Sequence, residues 1–203
     1  MLNEFRACNS KADTVIFNGT STVYEIKSER DSLSRLEQQI SSYRKVFAKV
    51  NVITGENHLD TVLSTVPDDV GVMLLSDRYQ ISTIRDALDL PDRTSPEAIF
   101  DTVRQSEAKK ILKSYGFEIP ELPNTKMYNA LREKFVTLTS VEAHDGMVKV
   151  LRSTRSLLSL SDLLDALPIS LRTAVLSTSL RKQDHGKLVD ALNTPINKAL
   201  KWN

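Results

Sequence analysis

The apolar positions of the first third of the chain follow two different spacings. Residues 12–17 (ADTVIF) and 21–27 (STVYEIK) are rich in β-branched and aromatic side chains and flank Asn18-Gly19, a strong signal for a β-hairpin. The stretch that follows repeats apolar residues every three or four positions, at Leu33, Leu36, Ile40, Tyr43 and Phe47. This spacing predicts a helix with one buried stripe, begun by a cap at Asp31 or Ser32.

Further strands and one helix complete this part of the chain. Residues 4–8 predict a short leading strand, and residues 49–54 and 70–75 predict two strands that follow the helix. Between these last two, a helix is expected to begin near Asn57. Because strands and helices alternate, the pattern indicates an α/β layer with some parallel pairing.

After Asp77 the pattern becomes helical. Ser95-Pro96-Glu97 has the form of a helix start, and the helix is expected to continue to Gly116. Further helices are expected at the segments that share helical spacing or a capping signal, namely residues 124–135, 139–155, 157–167 and two short segments near the end. We therefore expect two regions, an α/β core at residues 1–80 and a helical region at residues 81–203.

The composition is typical of one class of protein, but it does not indicate a binding partner. The chain has 203 residues, 40% hydrophobic and 26% charged, and a net charge of +1, which favours a soluble domain and gives no global argument for nucleic acid. Cys8 is the only cysteine, so an internal disulfide is excluded and a cytoplasmic location is expected. No apolar run approaches the ~20 residues of a membrane span, and no secretion signal is visible. The spacing of the three histidines does not favour a zinc site.

The polar residues of the hairpin strands are the main candidates for a metal-binding or catalytic site. Successive side chains of a strand alternate between its faces, so Glu25 and Lys27 share one face. Mg²⁺ prefers one or two carboxylates with water and substrate phosphate, which Asp13 and Glu25 supply, with the Ile26 carbonyl as a third oxygen. Lys27 then orients or deprotonates a water, or stabilises the charged transition state. The alternative is a solvent-facing Glu-Lys pair with no role beyond solubility.

The hairpin register tests this interpretation. A flush two-residue turn at Asn18-Gly19 would pair Asp13 with Tyr24 and would put Asp13 and Glu25 on opposite faces. A three-residue connection that includes Thr20, or one bulge, would instead pair Asp13 with Glu25. A shared metal site therefore predicts the irregular connection.

The helix after the hairpin and a later helix add further candidates. Gln39 and Tyr43 lie four residues apart on one side of the predicted helix. Gln39 stands at the edge of the buried stripe and needs partners, such as a metal-bound water or a DNA phosphate. Three lysines of one later helix share a face that could meet DNA phosphates, or could simply be a solvated face: Lys109, Lys110 and Lys113.

These residues resemble the signature of the PD-(D/E)XK nuclease superfamily, in which an Asp opens one strand and Glu-x-Lys lies on the next. Here the matching positions are Asp13 and Glu25-Ile26-Lys27, and the Gln39-x-x-x-Tyr43 spacing resembles the extra motif of RecB-type members. The run from Tyr24 to Gln39 also resembles an uncharacterised bacterial family of that superfamily with the pattern YEIKS-(D/E)-R-D-x-L-x-R-L-x-x-Q. Superfamily members begin with a helix, and only three residues precede Glu4, so either the given start is internal to a longer product or the helix is absent or replaced.

The resemblance implies a fold and an activity. The implied fold is a restriction-endonuclease-like α/β core, a mixed sheet flanked by helices, followed by an all-helical C-terminal region. The implied activity is metal-dependent hydrolysis of phosphodiester bonds, with Mg²⁺ or Mn²⁺, in DNA more than in RNA, in defence or repair. Gln39 would support the catalytic site, and Tyr43 would contact nucleic acid. The protein could also act as a homodimer. The alternative is a catalytically inactive module on the same fold that binds nucleic acid or a protein.

Overall fold

The chain folds into two compact units in a computed structural model that describes residues 1–155, 161–178, 180–195 and 198. The first unit is Met1–Arg155 and the second is Ser156–Asn203. Within the described residues, no helix is long and apolar enough to cross a membrane.

A single six-stranded sheet organises the first unit, with the strands in the order in which they occur in the chain. The strands are β1 (Leu2–Ala7), β2 (Ser10–Asn18), β3 (Thr20–Lys27), β4 (Lys49–Thr54), β5 (Gly71–Leu75) and β6 (Ile81–Arg85). β1, β2 and β3 form an antiparallel meander, β3, β4 and β5 are parallel, and β6 returns antiparallel to β5. The sheet is therefore mixed, as expected where hairpins and helical crossovers alternate.

Nine α-helices are found among the described residues. They are α1 (Leu36–Arg44), α2 (Leu59–Thr65), α3 (Pro96–Phe100), α4 (Gln105–Ser114), α5 (Asn124–Phe135), α6 (Ser140–Thr154), α7 (Ser161–Ala166), α8 (Ile169–Ser177) and α9 (His185–Asn193). α1 and α2 form the crossovers of the parallel strands. This arrangement confirms the expected α/β class, a mixed sheet flanked by helices with a helical region after it.

The hydrophobic core lies on one face of the sheet. Val23, Val52 and Val72 occupy that face at neighbouring positions of three strands and are fully buried, together with Phe47 beyond the end of α1. On the opposite face, Ile26 is 45% exposed. The sheet thus carries its helices and its largest buried side chains on the same side.

Close packing of α4 against α6 depends on a glycine. A Cβ atom added at Gly146 would lie 2.6 Å from Cγ2 of Ile111, closer than side-chain atoms approach one another. Ile111 and Leu131 of α5 are fully buried, and Leu151 of α6 is 1% exposed. These contacts join α4, α5 and α6 to the core that the sheet also uses.

The boundaries of some elements differ from those expected. β6 was not predicted, because residues 81–85 do not alternate and all but one are exposed. The helix expected from Ser95 to Gly116 is two helices, α3 and α4, separated at residues 101–104. α1 begins at Leu36 without a side-chain cap, and the Asp31 carboxylate instead accepts from Ser28 N and Oγ, both at 2.7 Å, in a turn before the helix.

The boundary between the compact units also lies later than the expected change at residue 80. The first unit continues to Arg155 because α3–α6 share the core of the sheet, and a change of secondary structure does not by itself end a domain. The second unit has a small core of its own, formed by Leu163, Leu167 and Val175. The beginning of the expected leucine-rich helix, residues 157–160, lies outside the described residues.

Candidate active site

The register between β2 and β3 is the one that a shared site requires. Phe17 pairs with Ser21 and Thr14 with Tyr24, so the connection is Asn18-Gly19-Thr20, and Gly19 takes φ of 77° at its centre. Continued by one residue, this register sets Asp13 opposite Glu25. The prediction of an irregular connection is confirmed.

The strands separate at Asp13. The pairing of β2 with β3 ends at Thr14, and the β1–β2 pairing skips Glu4 and Asp13, where Glu4 has the left-handed φ of 54°. Ala12 and Val15 are both fully buried although they are three residues apart, so the alternation of β2 shifts by one position here. The Asp13 carboxylate occupies the gap, and its Oδ2 accepts a hydrogen bond from the backbone N of Ile26 at 2.7 Å.

The Glu25 carboxylate is the centre of a buried polar cluster. Its Oε1 accepts from Lys27 Nζ at 2.8 Å and from Gln39 Nε2 at 2.5 Å, and its Oε2 accepts from the Tyr43 hydroxyl at 2.7 Å. Gln39 Oε1 accepts from Lys27 Nζ at 2.9 Å, which closes a triangle. The side chains of Glu25 and Lys27 are 3% and 8% exposed, so this ion pair is shielded from water on most sides.

Tyr43 joins α1 to both strands. It is fully buried, and its single hydroxyl hydrogen is shared between Glu25 Oε2 and the Lys11 carbonyl at 3.0 Å. Burial raises the pKa of Tyr43, and the hydrogen bond to Glu25 raises the pKa further, so the phenol stays neutral and donates. Because the Tyr43 side chain has no exposed surface, it positions Glu25 in this structure, and its predicted contact with nucleic acid stays a prediction.

A cavity of about 790 Å³ opens beside these groups. Its lining includes the predicted residues Asp13, Glu25, Ile26, Lys27 and Gln39. The other lining residues come from the end of the β1–β2 hairpin, from the loop before α1 and from α1 itself: Glu4, Arg6, Asn9, Ser10, Lys11, Asp31, Arg35 and Gln38. The cavity is therefore bordered by β2 and β3 where their pairing ends, by the β1–β2 hairpin and by the start of α1.

Glu25, Asp13 and Lys27 keep hydrogen-bonding positions that no described residue uses. A carboxylate offers about four acceptor positions. Glu25 uses three, and Asp13 Oδ1 has no partner among the described residues. Lys27 has three N–H donors and places two of them on described residues. Within the described part of the chain, no three carboxylate, imidazole or thiol groups gather into a complete metal cage.

The predicted lysine cluster lies elsewhere in the unit. Lys109, Lys110 and Lys113 are on α4, where Lys109 is half-buried and the other two are exposed, and none of them lines the cavity. Their role in binding nucleic acid stays a prediction.

Several residues of the cavity were not predicted as site residues. Asp31 and Arg35 lie within the run that carried the family resemblance, which was the available signal. The hydrogen bonds from Ser28 lower the pKa of the exposed Asp31 carboxyl, so it is ionised at neutral pH. Arg6 and Lys11 carried no signal, because their approach to Glu25 depends on the pairing of β1 with β2.

A second buried polar pair lies at the other end of β3. Ser21 Oγ is 2.9 Å from Nε2 of His144 on α6 and accepts from the backbone N of Ala48 at 3.0 Å. His144 Nδ1 lies 3.0 Å from the Asp145 carboxylate. Because Ser21 is fully buried and His144 is 2% exposed, this arrangement fastens α6 to the sheet and has no surface open to a substrate.

The comparison with known families covers the whole first unit. The family described as bacteriophage P4 protein cII matches residues 1–159. The chain belongs to this family. It is 30% identical over 122 residues to protein cII of Enterobacteria phage P4, a match that covers 57% of the chain and 46% of that protein. The chain thus spans about half the length of this curated relative.

Among solved structures, a protein of unknown function from Silicibacter pomeroyi is similar to the chain. It has 16% sequence identity, and the match covers 76% of the chain and 78% of that protein with a TM-score of 0.35. The family match is the stronger finding, since it includes every residue that lines the cavity of this cII-family chain.

Proposed function

We propose that this cII-family chain is a metal-dependent nuclease that hydrolyses phosphodiester bonds, in DNA more than in RNA. The observation that carries the proposal is the Glu25–Lys27–Gln39 triangle at the floor of a cavity that Asp13 also enters. Buried charged groups are costly and usually have all their hydrogen bonds satisfied, so a buried pair with spare positions beside a cavity favours a binding or catalytic role.

The donor set supports Mg²⁺, or Mn²⁺ in its place. Both are hard cations, and Mg²⁺ is commonly held by one or two carboxylates with waters and substrate phosphates. Asp13 Oδ1 and the remaining acceptor position of Glu25 Oε2 are the carboxylate positions without a described partner. We propose these two carboxylates, with the Ile26 carbonyl, as the ligands.

The chain's own groups have distinct tasks in this reaction. When bound by Asp13 and Glu25, Mg²⁺ or Mn²⁺ would supply Lewis acidity toward the phosphodiester. Lys27 donates to the attacking water or to the charged phosphoryl oxygens, while Gln39 keeps its ammonium beside Glu25. The water oxygen forms a bond to phosphorus, the bond to the leaving sugar oxygen breaks, and a proton passes from the water to the leaving oxygen through solvent. Tyr43 fixes the orientation of Glu25 throughout.

The superfamily, the cellular role and the assembly are parts of the same proposal. Asp13 and Glu25-x-Lys27 resemble the PD-(D/E)XK signature, and the confirmed hairpin register is compatible with it. That resemblance is what supports a role in defence or repair in the cytoplasm. A homodimer would let two such sites act on both strands of a duplex.

A second candidate function is a nucleic-acid-binding or protein-interaction module that does not cut. The observation in its favour is that Lys27 and Gln39 already occupy both acceptor positions of Glu25 Oε1. A group so well satisfied without a cation is also compatible with a structural pair.

One experiment separates the two candidates. Linear, circular and single-stranded DNA and a matched RNA are incubated with the full chain and Mg²⁺, Mn²⁺ or EDTA, alongside Lys27→Met and Asp13→Asn. We expect cutting that requires metal and falls by about 10²–10⁴-fold in Lys27→Met, the range for loss of a proton-transfer group. We expect a comparable loss in Asp13→Asn.

Two exposed residues provide matched controls. Lys45→Met and Asp86→Asn make the same chemical changes at exposed positions outside the cavity and should cut as the unchanged chain does. Nucleic-acid binding without cutting in any metal would reject the nuclease and favour the second candidate.

A further inference from the structure

Two cations of the cavity have no partner among the residues that the structure describes. Of its four basic residues, Lys27 pairs with Glu25, and Lys11 lies 3.0 Å from Glu4. The guanidinium groups of Arg6 and Arg35 make no hydrogen bond or ion pair with any residue that the structure describes. Both residues are exposed.

Other arginines of the same unit are used differently. Arg44 and Arg93 both donate to the Asp69 carboxylate, and Arg155 donates to Glu107. Arginine is suited to planar, bidentate recognition of carboxylates and phosphates, so an unpaired guanidinium in a concave site is available to an anionic ligand.

The two free arginines approach the carboxylates from different elements. Arg6 is on β1 and pairs in register with Lys11 of β2, two strands away from Glu25 of β3. Neighbouring strands are about 4.8 Å apart, so the backbones of β1 and β3 are separated by about 10 Å. Arg35 directly precedes α1, whose Gln39 touches Glu25. The cavity therefore has two guanidinium groups from different elements, in addition to its two lysines and to the carboxylates of Glu4, Asp13, Glu25 and Asp31.

Two cationic groups on separate elements of one cavity fit a polymer better than a small anion. A polynucleotide strand carries one negative charge on every phosphate, so a single ligand can reach both groups. No aromatic side chain is among the lining residues, so within the described part of the chain the cavity has no platform on which bases could stack. The chemistry of the lining therefore matches the sugar–phosphate backbone.

We infer that Arg6 and Arg35 bind phosphate groups on either side of the phosphodiester that lies at Asp13 and Glu25. The ligand is then a continuous polynucleotide backbone, bound without preference for its bases, and not a mononucleotide or free phosphate. The inference deepens the proposed nuclease function and rests on it for the position of the central phosphodiester. Phosphate contacts fix register and orientation and carry no sequence information themselves.

Binding without cutting tests the inference. Fluorescence anisotropy is measured with a labelled 20-nucleotide DNA strand, its duplex and the RNA strand of the same sequence, in EDTA so that no cleavage occurs. Arg6→Gln, Arg35→Gln and the double variant are compared with Arg78→Gln, the same change at an exposed arginine outside the cavity. We expect each single variant to weaken binding several-fold, the double variant to weaken it by at least tenfold, and Arg78→Gln to have no effect.

The salt dependence and a competition assay sharpen the result. Each lost phosphate contact should reduce the slope of log K against log salt by about 0.7–0.9. Free phosphate and a mononucleotide should compete at least a hundred times more weakly than the unlabelled strand. Because both side chains lack partners, the thermal unfolding midpoints of the variants should match that of the unchanged chain.

The outcomes separate this inference from the proposed function. If the double variant keeps the affinity and salt slope of the unchanged chain, or if the unchanged chain binds none of the three ligands, the inference is overturned. If a mononucleotide competes as well as the strand, the polymer assignment is overturned. Arginine-dependent binding together with no cutting in Mg²⁺ or Mn²⁺ would keep the inference and reject the nuclease.

Discussion

Glu25 and Glu107 are both 2% exposed and both held by a basic side chain, yet their surroundings differ. Glu107, near the start of α4, accepts four bonds, from the backbone N of Arg104, from the Thr154 hydroxyl and two from Arg155. Glu25 accepts three bonds and lines a cavity. Burial and an opposite charge are thus common to both sites, and only Glu25 has a spare acceptor position beside open space.

A spare acceptor position beside a cavity distinguishes the candidate site at Glu25 from the structural ion pair at Glu107. The Glu107 carboxylate caps the start of α4 and accepts from Arg155 at the end of α6. Its four acceptor positions are filled, so none is left for a ligand. At Glu25, the β2–β3 ladder separates and admits a cavity instead of completing the hydrogen bonds. A cavity next to an unsaturated buried charge is therefore a stronger functional signal than the burial itself.

The largest expected difference between the two glutamates is in stability. Glu107→Gln should lower the free energy of unfolding by about 3 kcal/mol, because it leaves the mostly buried Arg155 without its carboxylate. Glu25→Gln should cost only about 1 kcal/mol, because Lys27 can turn toward water in the adjacent cavity and the new amide still accepts a hydrogen bond. Urea unfolding of both variants measures this difference. Equal losses would contradict the distinction between a saturated and an open site.

Acid should remove the contribution of Glu107. Burial alone would raise the pKa of Glu107, but hydrogen bonds from Arg155, from the Arg104 backbone and from Thr154, with the Arg155 charge, lower it on balance. Its folded pKa is below its unfolded value of about 4.3, so the stabilisation is complete above that pH and is lost as the pH falls through the folded pKa. The stability difference between the unchanged chain and Glu107→Gln should therefore be constant from pH 7 to 5 and shrink below pH 4. A difference that is the same at pH 7 and pH 3 would exclude this pKa shift.

A further expected effect concerns the residue that positions Glu25. Tyr43→Phe removes one hydrogen bond to a buried carboxylate and should cost about 1.5 kcal/mol of unfolding free energy. Tyr79→Phe is the matched control, since Tyr79 is 90% exposed, and its effect should stay within about 0.5 kcal/mol. Thermal and urea unfolding of the pair measure both values. A Tyr43 variant as stable as the control would show that the hydroxyl does not hold Glu25.

Several features of the site followed from local rules. Strand parity placed Glu25 and Lys27 on one face, and the buried stripe of α1 placed Gln39 beside the sheet, as the hydrogen bonds show. Both rules involve residues close in sequence, whose relative directions are fixed by the geometry of one strand or one helix. These local rules do not fix the rotation of α1 about its own axis relative to the sheet. That rotation directs the Tyr43 side chain to Glu25 and away from solvent.

The α/β class, the hairpin at Asn18-Gly19 and the Glu25–Lys27 pair follow from the sequence alone, because hydrophobic period and turn chemistry act over a few residues. Three further features depend on the folded chain: Arg6 joins these residues in one cavity, the pairing of β2 with β3 ends before Asp13, and Arg155 saturates Glu107. These contacts join positions far apart in the chain. Strand pairing and helix packing set them, and both depend on how the whole core is filled.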